Sequence, residues 1–423
     1  MDIEKPEQPI KLAIIGAGNR STVVYQPLFA MLKPWVDVVA VCDPVAKHSK
    51  KYAEELGIES FTSIKELVKS GSFEAALVVA PVDLHYAISV YLSENGIHHL
   101  VETSMANLLK QAKGMRDTAR DKGVIMRIAE NFFRYPFDRI AKKVIDNGVI
   151  GDVHRISCFH DHTGYHNNSR WLMMMSSFPT HVQAIEHVMP TVPHYEMPHR
   201  YRTTEKYSAR FFFFPDNKIV IDHAGNIKGM LGRHFRPGYT EVNGASGTLA
   251  RTGTIKNWLG EAELRVCSED ALMNQRAVAD QFYPVEHIVD DGCWVQERLT
   301  LPDTTIEYTP FAKLNQFAET KGILYAGHTH RPYYAVASAE ILIDFALQVR
   351  GIRVSEFSDE AAVMSMMMEV AVRESILRNS ERVALPLEED LEAEEQAAQA
   401  LMEKNGVDPM DVEGMLNVEV GRP

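Results

Sequence analysis

Short apolar runs alternate with longer helical stretches from Lys11 to about Arg134. Lys11 to Ile15, Val36 to Val41, Ala75 to Ala80, His98 to Val101 and Val124 to Ile128 are the strand candidates. Strands that alternate with helices predict a parallel, doubly wound sheet. The pattern then changes to β-rich runs, among them Val153 to His160, Ser208 to Phe214 and Ile219 to His223, with glycine-rich turns around Asn243 to Gly247. That half predicts an α+β domain on an antiparallel sheet. Two amphipathic stretches, Ser338 to Arg350 and Ser358 to Arg378, predict helices, and Met364 to Met368 read as core because methionine fills irregular gaps. Six acids crowd residues 388–395, which predicts a solvated C-terminal appendage. The expected units are 1–134, 135–387 and 388–423. The stretch from Trp258 to Thr309 reads as a long insertion that either covers a cleft or joins an interface.

Composition narrows the function classes. A chain of 423 residues, 45% hydrophobic, is too long for one ordinary core and rich enough for two. A formal charge of -13 argues against nucleic acid or an anionic membrane as principal partner. Cys42, Cys158, Cys267 and Cys293 are widely spaced without a CxxC, which fits a reducing cytoplasm. No apolar stretch approaches the ~20 residues needed to span a bilayer. A soluble, cytoplasmic protein is expected.

Candidate chemistry begins at Lys11 to Ser21, where an apolar run ends in Gly16 and Gly18. Gly16 can adopt a turn closed to other residues, and Gly18 leaves backbone NH groups open to a pyrophosphate. Ser21 stands where a third glycine usually lies. Asn19 and Arg20 are candidates for phosphate or ribose. Asp43, after the second strand, suits a ribose 2'-hydroxyl and favours NAD over NADP, with Lys47 and His48 nearby. Farther on, His160 to Trp171 packs polar groups around one glycine, as sugar sites do: His162, Asn168 and Arg170 suit hydroxyls or an anion, and Trp171 suits ring C–H groups. His160, His162 and His166, and separately His328 and His330, raise a zinc reading. Neither set has a fixed fourth ligand, so no metal is assigned.

Pro81-Val-Asp-Leu-His85, Gly96, Val101-Glu102-Thr103-Ser104, Glu130 to Pro136, Gly148 to Gly151 and Thr240 to Gly247 together resemble the Gfo/Idh/MocA family of sugar and cyclitol oxidoreductases. The resemblance implies a Rossmann domain followed by a domain on an open, mainly antiparallel sheet, with nicotinamide and substrate meeting between them. It also implies that Pro81, His85, Glu102 and Thr103 line the cofactor, and that copies associate as a homodimer or homotetramer. Two departures stand out. Thr103 occupies the position of the family's lysine, and if His181 matches the family's histidine on the first helix of the second domain, the aspartate four residues earlier is Ser177. On this match His181, in Phe178-Pro-Thr-His at an expected helix start, handles the carbinol proton, assisted by Tyr165 and His166. The implied activity is NAD-dependent hydride transfer at a secondary carbinol of a sugar, sugar acid or cyclitol. An NAD-dependent glycosidase, which oxidises transiently and returns the hydride, is the first alternative, favoured by the missing lysine. A noncatalytic ligand sensor is the second.

Overall fold

The computed structural model describes residues 5–159, 164–197, 200–225, 239–252, 261–274, 278–290, 293–313, 332–388 and 391–418. Six strands form the first sheet: β1 (Ile10–Ile15), β2 (Val36–Cys42), β3 (Glu59–Phe61), β4 (Ala75–Val78), β5 (His98–Val101) and β6 (Met126–Ile128). All pair in parallel in the order β3-β2-β1-β4-β5-β6. The central strands are covered on both faces, which is why Leu12 to Ile14 and Ala75 to Val78 are continuous apolar runs at 0% exposure. Strand order reverses between β1 and β4, and doubly wound sheets bind ligands beyond the carboxyl ends of the strands at such a reversal.

The second sheet is built from β7 (Val153–Phe159), β8 (His181–Met197), β9 (Arg200–Phe213), β10 (Ile219–Gly225), β11 (Tyr239–Gly244), β12 (Gly247–Thr252), β13 (Ala262–Val266), β14 (Gln281–Asp290), β15 (Cys293–Thr300), β16 (Thr305–Tyr308) and β17 (Val383–Ala384). Among the described residues, β7 and β10 pair in parallel and every other pairing is antiparallel. The stretch read as an insertion forms β13 to β16 and extends one side of this sheet. Alternation gives the sheet two unlike faces. Ile156, Val182, Ala184, Phe212, Val220 and Val242 are buried in one core with residues of the helices Pro136–Asp146, Gly164–Met175 and Asp359–Leu377. Phe159, Ile185 and Phe282 stand exposed on the other face.

Helix Pro332–Val349 returns to the first domain, and its Ala335, Ala339 and Leu342 share a core with Ile10, Leu12 and Ile14. Its Asp344 accepts a hydrogen bond from the buried Arg134 Nη2 at 2.8 Å. Ser358 caps the following helix by accepting from Ala361 N at 3.1 Å.

The expected solvated appendage is instead packed. Helices Glu392–Asn405 and Val412–Leu416 lie against both domains, with Leu391, Ala393 and Met415 buried. The dense acids hid these few apolar residues, which point inward. No helix among the described residues is long and apolar enough to cross a membrane. Cys42, Cys158 and Cys267 are free thiols.

Candidate functional site

The turn after β1 shows why glycine is needed there. Gly16 has φ +105°, and a Cβ on it would lie 2.6 Å from the Val79 carbonyl oxygen beyond β4. Gly16 N donates to Cys42 O at 2.8 Å, which holds the turn against β2. Asp43 completes the anchor: its Oδ2 accepts from Ala17 N at 2.8 Å and its Oδ1 from Val45 N at 2.9 Å. The carboxylate is fully buried, so it braces the glycine turn from behind rather than standing at the surface. Gly18 and the exposed Asn19 form the mouth of the turn. The helix that follows changes pitch twice, with a π turn at Ser21–Tyr25 and a 3-10 turn at Gln26–Leu28 before the α turn Phe29–Leu32. Ser21, in place of the third glycine, is buried and donates to Tyr52 Oη at 3.0 Å.

The opposite rim is made by the segments after β4 and β5. Glu102 Oε1 accepts from Arg20 Nε and from Tyr25 Oη at 2.9 Å, while Oε2 accepts from Thr103 N and, at 3.0 Å, Thr103 Oγ1. Arg20 thus reaches from the glycine turn to β5, with its guanidinium 5.6 Å from the Tyr334 ring centroid. Burial pushes the Glu102 carboxyl up, but Arg20 and these hydrogen bonds hold it below the usual carboxylate range. Pro81 opens the short turn that leads to His85. His85 is buried, with Nδ1 2.9 Å from Ser104 O and Nε2 2.9 Å from Ala80 O. Burial pushes its pKa down against the pull of these two carbonyl acceptors, and the link between the two segments is the Nδ1–H donated to Ser104 O.

Tyr165 and His166 face this same rim from the first turn of helix Gly164–Met175. Tyr165 Oη accepts from Met105 N at 3.1 Å, three residues past Glu102. His166 Nδ1 lies 3.1 Å from Glu130 Oε2, and its ring stacks on Phe132 with centroids 4.3 Å apart. Glu130 is 2% exposed, and its Oε1 accepts from Asn131 N at 3.0 Å and Phe132 N at 3.1 Å. Glu130 is the residue that sequence reasoning passed over as a site residue. Its signal was an acid two residues past the end of β6, shortly before Phe132 and Phe133.

The other expected substrate residues are not brought to this rim. Asn168, Arg170 and Trp171 lie on the same helix at 0% exposure. Asn168 Nδ2 donates to Ser365 O at 3.1 Å and Glu369 Oε1 at 3.0 Å, Arg170 pairs with Asp138, and Trp171 Nε1 donates to Asp222 Oδ2 at 3.3 Å. These residues lie two, four and five positions beyond His166, and Arg170 shares its helix face one turn farther in, so it is the helix running into the core, not a change of face, that takes them from the rim. His181 is also displaced. It opens β8 rather than a helix, and because Val182 and Ala184 face the helices, His181 faces away from them. The histidine that does sit in the first turn of a second-domain helix is His166, and four residues before it stands His162, not Ser177. His160, His162, His328 and His330 lie outside the described residues.

A parallel sheet of this order, with a strained glycine turn at its reversal and a buried acid behind the turn, defines a dinucleotide-binding domain of Rossmann type. Residues 10–130 match the Gfo/Idh/MocA family model, described as oxidoreductase family, NAD-binding Rossmann fold. Over 149 residues the chain is 28% identical to the scyllo-inositol 2-dehydrogenase (NAD(+)) of Bacillus subtilis, covering 34% of this chain and 42% of that one. Over 118 residues it is 33% identical to the 2,7-anhydro-N-acetylneuraminate hydratase of Mediterraneibacter gnavus, covering 27% and 30%. The chain therefore spans less than half the length of these curated relatives. The fold of a levoglucosan dehydrogenase solved with NADH and levoglucosan superposes with a TM-score of 0.65 at 16% identity, covering 90% of this chain and 100% of that one. This likeness extends the shared fold to the second domain.

Proposed function

We propose that the protein is an NAD-dependent oxidoreductase acting at a secondary carbinol of a sugar, sugar acid or cyclitol, with His166 handling the proton. The observation that carries this reading is the His166–Glu130 pair, held at the same sheet edge as Glu102 and the glycine turn. The turn at Gly16, Gly18 and Asn19 suits a pyrophosphate, Asp43 braces it, and Glu102 with Thr103 suits the nicotinamide end. NAD, when bound there, supplies the hydride acceptor. His166 Nδ1–H donates to the Glu130 carboxylate, which directs proton uptake to Nε2 and stabilises the imidazolium that forms. One carbinol O–H bond and one C–H bond break: the proton goes to His166, and the hydride leaves the carbon as its C=O bond forms. Tyr165 keeps its proton, because burial pushes the phenol up, and its O–H is a donor for the substrate oxygen. Thr103 brings no cation, so the proton work falls on His166.

That same Thr103 favours a second reading, in which the ketone is transient and the hydride returns after elimination and water addition. The test is absorbance at the reduced-nicotinamide band while protein and NAD are offered sugars, cyclitols and aryl glycosides, with aglycone release followed in parallel. Net NADH supports the dehydrogenase; NAD-dependent aglycone release without net NADH replaces it with the redox-neutral reaction. Ligand binding with neither leaves a sensor. In the active case His166→Ala abolishes turnover and His181→Ala does not; the reverse pattern would overturn the assignment. The reading includes a cytoplasmic homodimer or homotetramer joined through the open sheet face bearing Ile185 and Phe282, which sedimentation tests.

A further inference from the structure

The C-terminal segment 391–418 makes ordered polar contacts with the first domain at a few points. Glu394 Oε2 accepts from Leu109 N at 2.7 Å at the start of helix Leu109–Asp121, and Pro409 O accepts from Gln111 Nε2 at 2.8 Å. On the other side, Glu374 Oε2 of the second domain accepts from Ala393 N at 2.9 Å, and Arg373 lies 3.5 Å from Glu394. The segment therefore ties the two domains along one flank.

Its most informative contact is at Asp83, within the turn between Pro81 and His85. Asp83 is 5% exposed. Its Oδ2 accepts from Lys404 Nζ at 2.7 Å and Asn405 Nδ2 at 3.2 Å, and its Oδ1 from Asn107 Nδ2 at 2.9 Å. Asn107 belongs to the segment after β5, five residues past Glu102. One carboxylate thus joins three pieces of chain: the turn after β4, the segment after β5, and the end of helix Glu392–Asn405. The same two rim segments are joined a second time by His85, whose Nδ1 lies 2.9 Å from Ser104 O. Charge-assisted bonds to a buried carboxylate are among the strong ones.

We propose that the C-terminal segment is a built-in clamp on the nicotinamide side of the dinucleotide site, with Lys404 and Asn405 as positioning residues acting through Asp83. The clamp rests on the reading of residues 10–130 as an NAD site. It holds the rim formed by Pro81, His85, Glu102 and Thr103 at the spacing the cofactor needs, so ordering is complete before the ligand arrives. Lys404 is too far along the chain to reveal this from sequence, and nothing in the acidic composition of 388–395 indicates it.

The test is calorimetric titration of full-length protein with NAD alone, together with hydrogen exchange over residues 80–108. Lys404→Met is expected to weaken NAD binding about fivefold or more, at the low end of coupling between separated sites, and to speed exchange at 81–85 and 103–108. Lys404→Arg restores both. Lys65→Met, which removes the exposed Lys65–Glu413 contact of the same segment, leaves both at the parental value. If the parent binds NAD and Lys404→Met binds it equally while only the unfolding temperature falls, the segment is a structural strap and the proposal fails. If the parent does not bind NAD, the reading of the site fails first.

Discussion

Arg170 separates a substrate-binding role from a structural one by an amount large enough to measure. Its side chain is 0% exposed, with Nε 2.8 Å from Asp138 Oδ2 and Nη2 2.9 Å from Asp138 Oδ1, a two-pronged pair inside the second domain. Its Nη1 also donates to Asn167 Oδ1 at 3.3 Å. Arg170→Met keeps the stem but leaves Asp138, itself 4% exposed, charged and alone in the core. Breaking one side of a buried pair costs about 3–5 kcal/mol. At about 2–4 °C per kcal/mol for a domain of this size, the unfolding temperature falls by about 6–20 °C. Arg170→Met with Asp138→Leu removes both charges and should recover most of the loss, because an isosteric apolar pair avoids the desolvation term. Thermal unfolding by circular dichroism, with the NAD dissociation constant measured below the transition, reads both effects. An Arg170→Met protein that melts with the parent but shows a raised KM for its carbinol substrate would refute the reasoning and return Arg170 to the substrate.

Gly16→Ala places a methyl 2.6 Å from Val79 O at φ +105°, so the turn must shift; NAD binding should weaken at least about tenfold, and an unchanged dissociation constant by calorimetry would mean the turn does not cradle the ligand. Burial would push Glu356 up, but Arg139 first, then Arg134 and Arg353, hold it at about 2, below its ordinary 4.5. A depressed carboxyl stabilises the fold above its unfolded pKa and loses that contribution as pH falls from 4.5 towards about 2. Glu356→Gln should therefore flatten the acid side of the stability curve across that window, followed by circular dichroism; an equally steep loss would place the acid sensitivity elsewhere.

Much of the first domain was legible because its information is local. Continuous apolar strands, helical intervals and a glycine pair at a strand end are each specified within a few residues, and parallel strands with short connections leave little freedom in topology. Gly16 is the clearest case, where chemistry, backbone angle and position agree. Asp43 was singled out by the same logic for a ribose hydroxyl, whereas in the structure its two oxygens accept from Ala17 N and Val45 N.

What only the tertiary structure decided is which side of an element each residue faces and what distant chain meets it. His166 and Arg170 are four residues apart on one face of one helix, yet the first turn ends at the rim and the next turn lies in the core, because packing sets how deep each turn of a helix is sunk. His181 looked like a helix start, but pairing with β9 and β17 made it a strand residue, and Val182 and Ala184 then turned it outward. Glu130 acquires its meaning only from a histidine 36 residues later, and Lys404 from an aspartate 321 residues earlier. Local sequence determines which segments become strands and turns; contacts across such separations exist only once two sheets and the helices between them have closed around a common core.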